Sequence, residues 1–456
     1  MKIGLIGWGV ETQSAYRYFG PDHQYLICNE EPRDDFPAGD NIQIQFINTP
    51  RTPGLVGNVA DLTYLDGVED CQQIIFAAAS RKNLEKHFDE NSDFWQKAKT
   101  IQHIFFEESP TKNIIGVTGS KGKGTTSTLI AKMLEAGGLK TSLGGNIGLA
   151  VLDLLPNVTP ESWVVLELSS FQLYKFPHSP HIAVFLKLWP EHIDEWHKTM
   201  EDYISSKANI FTNQTDSDFA VYLPSNEHSS QSAQLSKGKH IPYTKTPGAF
   251  IDSQNLVIND QIIMGISGIK LIGPHNLENV CAAVTAVWQV HQNVDAIKSV
   301  LTSFTGLEHR LEFAGEINGV RYYDDSFGTT PDTAIVAMDS FKEPKVIVIG
   351  GHDKGNPFED LAKRLTDSDI RHVVFIGNTG AKILDLAIQV GFDKSKATIK
   401  ENSNDWTMSE ILNMLSISAC PGDVALLSTG CASFGMFKDY KERGQLFKSA
   451  VRSLIS

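Results

Sequence analysis

Four things are scarce or missing in this 456-residue chain, and each absence excludes a class of protein. Cysteine is scarce: Cys28, Cys71, Cys281, Cys420 and Cys431 are odd in number and show no metal-like spacing. A disulfide framework or cysteine–zinc centre is therefore excluded as the organising element, and reduced thiols filling a core are expected. No apolar run is long enough to cross a bilayer, and the opening MKIGLIGWG has no small-residue cleavage site after it. No membrane insertion and a cytoplasmic location are expected. Positive charge is outweighed, with 40 Lys and Arg against 54 Asp and Glu and a formal net charge of −14. A nucleic-acid partner would need a basic face, so none is expected. Small anionic ligands are not excluded, because local groups hold them. Repeats and low-complexity tracts are also missing, which argues against solenoids and disordered segments.

What is present is an ordinary globular composition, 41% hydrophobic and 21% charged. A chain of this length divides into two to four domains, each able to bury a core. The most informative stretch is NIIGVTGSKGKGTTSTL, Asn113 to Leu129. An apolar strand (Ile114, Ile115, Val117) breaks into Gly119, Ser120, Lys121, Gly122, Lys123 and Gly124. The hydroxyls Thr125, Thr126, Ser127 and Thr128 then lead into a helix-forming run. Glycines let backbone N–H groups approach phosphate oxygens, a helix N-terminus adds unpaired donors and partial positive charge, and a lysine reaches the β and γ phosphates. A hydroxyl just inside the helix can hold Mg²⁺. The strict G-x-x-x-x-G-K-[ST] pattern is not met, since Val117 stands six residues before Lys123 and Gly124 follows it. The plain alternative is an ordinary strand-to-helix connection, but two lysines among three glycines at a helix start point to an anion.

Before this loop, Ile3 to Ile6 reads as a strand running into Gly7-Trp8-Gly9 and a helix-like TQSAYRYF. YLICNE ends in Asn29 and Glu30, and CQQIIFAAAS ends in the small residues Ala77 to Ser80. A Rossmann-like unit places ribose or base contacts at such strand ends, although Thr12 replaces the third glycine of the fingerprint, and a small α/β domain without a ligand fits too. After the loop, Gly144 to Gly148 reads as a flexible polar turn. SWVVLELSSFQL sets Glu167 in an apolar strand, where a carboxylate needs a partner, with Mg²⁺ the natural candidate. HIAVFLKLW runs into Pro190-Glu191-His192-Ile193-Asp194, polar groups at another strand end. Lys207 lies in the helical YISSKANIF, where a lysine ordinarily snorkels to solvent. Asn276 and Asn279 open a helix, as caps or as contacts to a base edge.

Beyond FTGLEHRLEF the pattern resets. A strand ending in Asp324 and Asp325, a Ser/Gly/Thr turn and Pro331 are followed by the strands KVIVIGG, HVVFIGN and DVALLSTG, alternating with helical FEDLAKRL, AKILDLAIQ and SEILNMLSI. Such alternation implies mostly parallel sheets covered by helices. The expected fold is α/β in three domains: an N-terminal Rossmann-like domain over 1–105, a central P-loop-type ATPase sheet over 106–306 and a C-terminal Rossmann-like domain over 307–456.

GVTGSKGKGTT, GGNIG, LELSSFQL, PEHID, HNLENVCAA, EHRLE, DDSFGTTPD, GGHDKG and LSTGCASFGMFKDYKERG occur in this order. Together they resemble the Mur ligase family, over essentially the whole chain and least over residues 1 to 110. The last motif and LELSSFQL point to its glutamate-adding branch. The resemblance implies an ATP-dependent amide ligase of peptidoglycan precursor synthesis that joins glutamate to UDP-N-acetylmuramoyl-L-alanine through an acyl phosphate, as a monomer. It implies that Lys123 contacts the β and γ phosphates, within a nucleotide-binding loop running from Gly119 to Thr126. It also implies two Mg²⁺ ions, with Thr125 and Glu167 at one and His192 at the second, and a CO₂-derived carbamate on Lys207 that can bridge metal. Asn276 and Asn279 would face adenine, Arg310 and Asp325 phosphate and ribose, and Asn146 the nucleotide-sugar. Thr329, Lys354, Ser433 and Tyr440 would hold glutamate, a lysine and a hydroxyl being sensible partners for its carboxylates.

The sequence departs from the family pattern at two informative places. Phe327 stands where the family's D-S-K-A-T segment carries lysine, and Gly124 after Lys123 is more usual in folylpolyglutamate synthases. D-Glutamate is favoured as the incoming amino acid, with L-glutamate the alternative, since an altered wall beside Thr329 is where such a change would arise. A folylpolyglutamate-synthase-like ligase fits less well, given CASFGMFKDYKERG and the nucleotide-fold-like N-terminal unit. An inactive ATP-binding relative is disfavoured by the joint presence of Lys123, Glu167, His192 and Lys207.

Overall fold

The computed structural model describes residues 1–47, 62–189 and 196–455. The chain forms two compact units, Met1–Ile269 with Glu278–Thr302, and Lys270–Leu277 with Ser303–Ser456.

The first unit holds two parallel sheets. The N-terminal one contains β1 (Lys2–Ile6), β2 (Gln24–Asn29), β3 (Ile42–Phe46), β4 (Gln73–Phe76) and β5 (Ala98–Lys99), in the order β3-β2-β1-β4-β5. Strand alternation sends side chains to opposite faces. Ile3, Leu5, Tyr25, Ile27 and Ile75 thus join one apolar cluster, while Ile6, Leu26, Cys28, Ile74 and Phe76 join another. The first of these clusters continues through the helix Ile101–Glu108 into Val164, Leu166 and Phe185 of the next sheet. That sheet has β6 (Ile114–Thr118), β7 (Thr141–Gly145), β8 (Trp163–Glu167), β9 (Ile182–Phe185), β10 (Phe219–Tyr222) and β11 (Lys239–Pro242), ordered β11-β10-β9-β6-β8-β7.

Strand β6 is central and buried on both faces, so it reads as a continuous apolar run and not as an alternation. It is flanked by β8 and β9, and the connections leaving these three strands converge at one edge. The crevice outside the carboxyl ends of parallel strands is where such sheets bind ligands. A small antiparallel sheet follows, β12 (Phe250–Asp252), β13 (Asn255–Ile258) and β14 (Gln261–Gly265).

The second unit contains β15 (Glu312–Ile317), β16 (Val320–Asp324), β17 (Lys345–Gly350), β18 (Ile370–Ile376), β19 (Ala397–Ile399) and β20 (Val424–Leu427). Their order is β15-β16-β20-β17-β18-β19, parallel except for the β15–β16 pair. In β17, Ile347 and Ile349 pack with Met338, Phe358 and Leu361 on one face, and Val346 and Val348 with Leu412, Leu415 and Phe447 on the other.

The helical and strand segments read from the alternation are present, and the cysteines are free thiols. One segment differs: Gly144 and Gly145 are not part of a loose turn but end β7, paired with Leu166 and Glu167. The missing side chains are what permit it, since a Cβ on Gly145 would come 2.3 Å from the Glu167 carbonyl oxygen. No helix of the described residues is long and apolar enough to cross a membrane.

Candidate active site

The site in the first unit is built by the end of β6. Gly119 has φ +146° and Gly122, which precedes the helix Lys123–Ala136, has φ +83°. Both lie where side chains are disfavoured, and a Cβ on Gly122 would come 2.2 Å from Asn279 Oδ1. Asn279 therefore packs directly on the glycine loop. The Lys123 ammonium folds back onto the loop, donating to the carbonyl oxygens of Gly119 at 3.1 Å and Ser120 at 2.7 Å. Lys207, from the helix Met200–Thr212, reaches the same place. Its Nζ donates to Gly119 O at 2.9 Å and to Thr118 Oγ1 at 3.4 Å, and lies 4.9 Å from the Tyr203 ring centre. Lys207 is not the snorkelling residue that its sequence setting suggests: it is 2% exposed.

Two ammonium groups thus share one carbonyl oxygen at a helix N-terminus whose first N–H groups lack intrahelical partners. This concentration of positive charge suits a polyphosphate. Thr125 is buried, and the buried Thr126 hydroxyl has no hydrogen-bond partner among the described residues. Glu167 ends β8 at 7% exposure. It accepts from Asn146 Nδ2 at 3.2 Å, while the Asn146 N–H donates to the Glu167 carbonyl at 2.9 Å. A carboxylate and two threonine hydroxyls beside a phosphate-type loop are oxygen donors of the kind that Mg²⁺ prefers. Ser120 supports the loop from one side. Its hydroxyl donates to Trp189 O at 2.7 Å and its N–H to Lys187 O at 3.1 Å, tying the loop to the segment after β9. Lys121 is exposed. His192 lies outside the described residues.

The N-terminal sheet carries a cleft of about 220 Å³ lined by Gly7, Trp8, Asn29, Glu30, Arg33 and Tyr64, among others. Asn29 Oδ1 accepts from the Trp8 N–H at 2.7 Å, and Trp8 Nε1 donates to Asp35 O at 3.1 Å, which fixes the G-x-G turn. The glycine turn and the end of β2 were readable in the sequence. Arg33 and Tyr64 were not, because neither sits in a strand-end motif.

In the second unit, β16, β20 and β17 are neighbours, and the turns leaving them carry Asp325 to Thr330, Ser428 to Tyr440 and Gly351 to Gly355. The Ser433 and Lys354 loops are held together by His352 N–H donating to Ala432 O at 2.8 Å. Lys354 Nζ lies 5.8 Å from the Phe434 ring centre. Asp325 is buried, accepting from Ser428 Oγ at 2.6 Å and from Leu311 N–H at 3.3 Å. Burial pushes its carboxyl up to about 7, against the lowering effect of Ser428, Leu311 and Arg310. Thr329 is half-buried on the same turn. Asn276 donates to Ile272 O at 2.7 Å, a local turn-closing contact.

Sequence reasoning missed the scaffold beneath this site. Arg443, fully buried, donates to Ser326 Oγ and Ser326 O at 2.8 Å each and to Cys431 O at 3.2 Å. His309 Nδ1 pairs with Asp324 Oδ2 at 2.6 Å, and Lys448 bridges Glu308 and Glu312. His309, Glu312 and Asp324 bring ligand-type atoms within 4.8 Å of one another, but the Lys448 ammonium on both Glu312 oxygens makes this an ion-pair network.

An α/β architecture with a phosphate-type loop at the crevice of a six-stranded parallel sheet defines the class, and comparison with known proteins gives the same result. Residues 117–287 match the Mur ligase middle domain and residues 309–431 the Mur ligase, glutamate ligase domain. The chain belongs to the Mur ligase family. It is 38% identical to the UDP-N-acetylmuramoylalanine–D-glutamate ligase of Clostridium kluyveri, over 99% of this chain and 97% of that one. To the ligase of the same name from Geobacillus kaustophilus it is 39% identical, over 75% of each chain. Among solved structures, the UDP-N-acetylmuramate-alanine ligase MurC of Thermotoga maritima matches with a TM-score of 0.61 at 18% identity, covering 99% of both chains.

Proposed function

We infer that this protein is an ATP-dependent ligase that joins D-glutamate to UDP-N-acetylmuramoyl-L-alanine in peptidoglycan precursor synthesis, the activity named for its similar relatives. The observation that carries the reading is the convergence of Lys123 and Lys207 on the Gly119 carbonyl at a helix N-terminus. Phosphoryl transfer needs positioning and charge neutralisation more than covalent help from the protein. The alanyl carboxylate attacks the γ phosphorus, ADP leaves, and the glutamate amine then displaces phosphate from the acyl phosphate.

Lys123 holds the β and γ phosphates over the loop from Gly119 to Thr126. Thr125 and Glu167 would hold one Mg²⁺ and His192 a second, with a modified Lys207 able to bridge metal. Bound Mg²⁺ would neutralise charge on the phosphoryl oxygens. A lysine ammonium buried at this point carries a desolvation penalty and repels a metal. Loss of a proton from Lys207 and attack of its amine on CO₂ would give a carbamate anion that favours the metal instead. Asn279 and Asn276 are assigned to adenine, Arg310 and Asp325 to phosphate and ribose, and Asn146 to the nucleotide-sugar. Thr329, Lys354, Ser433 and Tyr440 are assigned to glutamate. Domains at 1–105, 106–306 and 307–456 would bind the uridine part, ATP and the amino acid in turn, within a cytoplasmic monomer.

The test is phosphate release by the purified protein with ATP, Mg²⁺ and UDP-N-acetylmuramoyl-L-alanine, with D- or L-glutamate added in parallel and product mass confirmed. Turnover with D-glutamate is expected. Turnover only with L-glutamate would reverse the stereochemical assignment, and silence with both would overturn the reaction. Lys207→Ala is expected to lose about 10²-fold or more in rate while remaining folded, with partial recovery from bicarbonate plus a small carboxylic acid. Wild-type activity in that variant would remove the carbamate.

A further inference from the structure

Phe327 is an exposed aromatic residue to which the assignments above give no role. It is 40% exposed in the turn after β16, and the guanidinium carbon of Arg310 lies 4.0 Å from its ring centre. The Tyr440 ring meets it edge-on, 5.0 Å away at 81°. Charge and aromatic face are therefore stacked at the surface, not packed into the core.

The backbone on both sides of this pair is fixed. The Phe327 N–H donates to His309 O at 3.0 Å, so the ring's anchor and the turn bearing Arg310 are joined. His309 and Leu311, flanking Arg310, both have positive φ, +62° and +45°, a conformation that persists only where the surroundings impose it. They do so here through His309 on Asp324 and Leu311 N–H on Asp325. On the other side, Ser326 Oγ donates to Tyr440 O at 2.8 Å and accepts from Arg443 Nε. The long Arg310 side chain lays its guanidinium over the Phe327 ring. A guanidinium is planar and weakly hydrated and stacks on an aromatic face, so the Phe327 ring supplies an orientation for it at little desolvation cost. An ammonium at position 327 would instead repel it.

We propose that Phe327 is a positioning residue that clamps the Arg310 guanidinium, with Tyr440 buttressing the ring, for the nucleotide contact assigned to Arg310. This rests on the assignment of Arg310 to the nucleotide. The clamp predicts that nucleotide affinity, more than the chemical step, depends on the aromatic face at 327.

The experiment compares wild type, F327L, F327Y, R310A and the double variant R310A/F327L, measuring KM for ATP and kcat with the other substrates saturating. Leucine keeps the apolar bulk and removes the face. F327L is expected to raise KM for ATP about threefold to tenfold, the range of a partly exposed cation–π contact, with kcat within about twofold. F327Y, which keeps the aromatic face, is expected to behave as wild type. In the R310A background, F327L is expected to add nothing further. R310A impaired with F327L like wild type would overturn the clamp alone, as would an F327L effect of equal size in both backgrounds. R310A with a wild-type KM for ATP would overturn the nucleotide assignment of Arg310, and the clamp's function with it.

Discussion

The glycine loop of the first unit and the strand-end turns of the second place charged groups at the edge of a parallel sheet by opposite means. The loop from Gly119 to Lys123 is shaped by backbone: two glycines at positive φ, a helix start and carbonyl oxygens that receive the lysines. The turn from Asp324 to Phe327 is shaped by buried side chains, with Arg443, His309 and Ser428 holding it from beneath. In the first arrangement a functional side chain can be removed and its support survives. In the second the support is itself made of charged side chains, so function and stability are coupled.

Lys123→Ala breaks the comparison most sharply if it fails. The rate of ligation is expected to fall about 10³-fold or more, since a charge aimed at the transferring group is lost from a preorganised site. Stability is expected to stay within about 1 kcal/mol of wild type, read by thermal unfolding. A large loss of stability would show that the loop, too, is held by its side chains.

Arg443→Met is the counterpart. It keeps apolar bulk but strands Ser326 and the Cys431 carbonyl without their buried donor, for an expected loss of about 3 kcal/mol. Burial already pulls the guanidinium down to about 10, yet it remains charged at neutral pH. A variant as stable as wild type would remove the coupling described above.

Asp325→Asn sharpens the contrast through pH. The folded-state value, about 7, lies above the unfolded carboxyl near 4. The group's contribution to stability is therefore fully present below about pH 4 and lost as pH rises through about 7. Asparagine removes that slope, so the variant should gain on the order of 4 kcal/mol relative to wild type at pH 8 while losing activity. Parallel stability curves from pH 4 to 8 would refute the assignment.

The smallest effect is expected for Arg17→Ala. Its bidentate pair with Asp153, at 3.0 and 2.6 Å, is largely solvent-exposed on the arginine side. Exposed pairs contribute little after screening and side-chain entropy, so a change under about 1 kcal/mol is expected. Anything larger would mean that this pair anchors the apolar cluster shared by the two sheets.

The phosphate loop was legible because its chemistry lies in a dozen consecutive residues, where glycine, lysine and hydroxyl each have a local mechanical meaning. The contacts of Asn146 with Glu167 and of Asn279 with the glycine loop were not legible, since each crosses between strands or helices. The GGNIG segment was misjudged because glycine signals conformational freedom but not what fills the space beside it. In this case the Glu167 backbone fills it. Arg443 gave no signal, as an arginine in a polar helix ordinarily faces solvent, and its partner Ser326 is 117 residues away.

The sequence alone determined the alternation of strand and helix and the phosphate-type character of the loop, because these follow from periodicity and from the chemistry of adjacent residues. Only tertiary structure decided that Lys207 turns inward to share a carbonyl oxygen with Lys123, that Ser326 rests on the buried Arg443 and that Phe327 stacks on Arg310. Each of these depends on which distant side chains meet and on how much water is excluded, and neither quantity is written in local order along the chain.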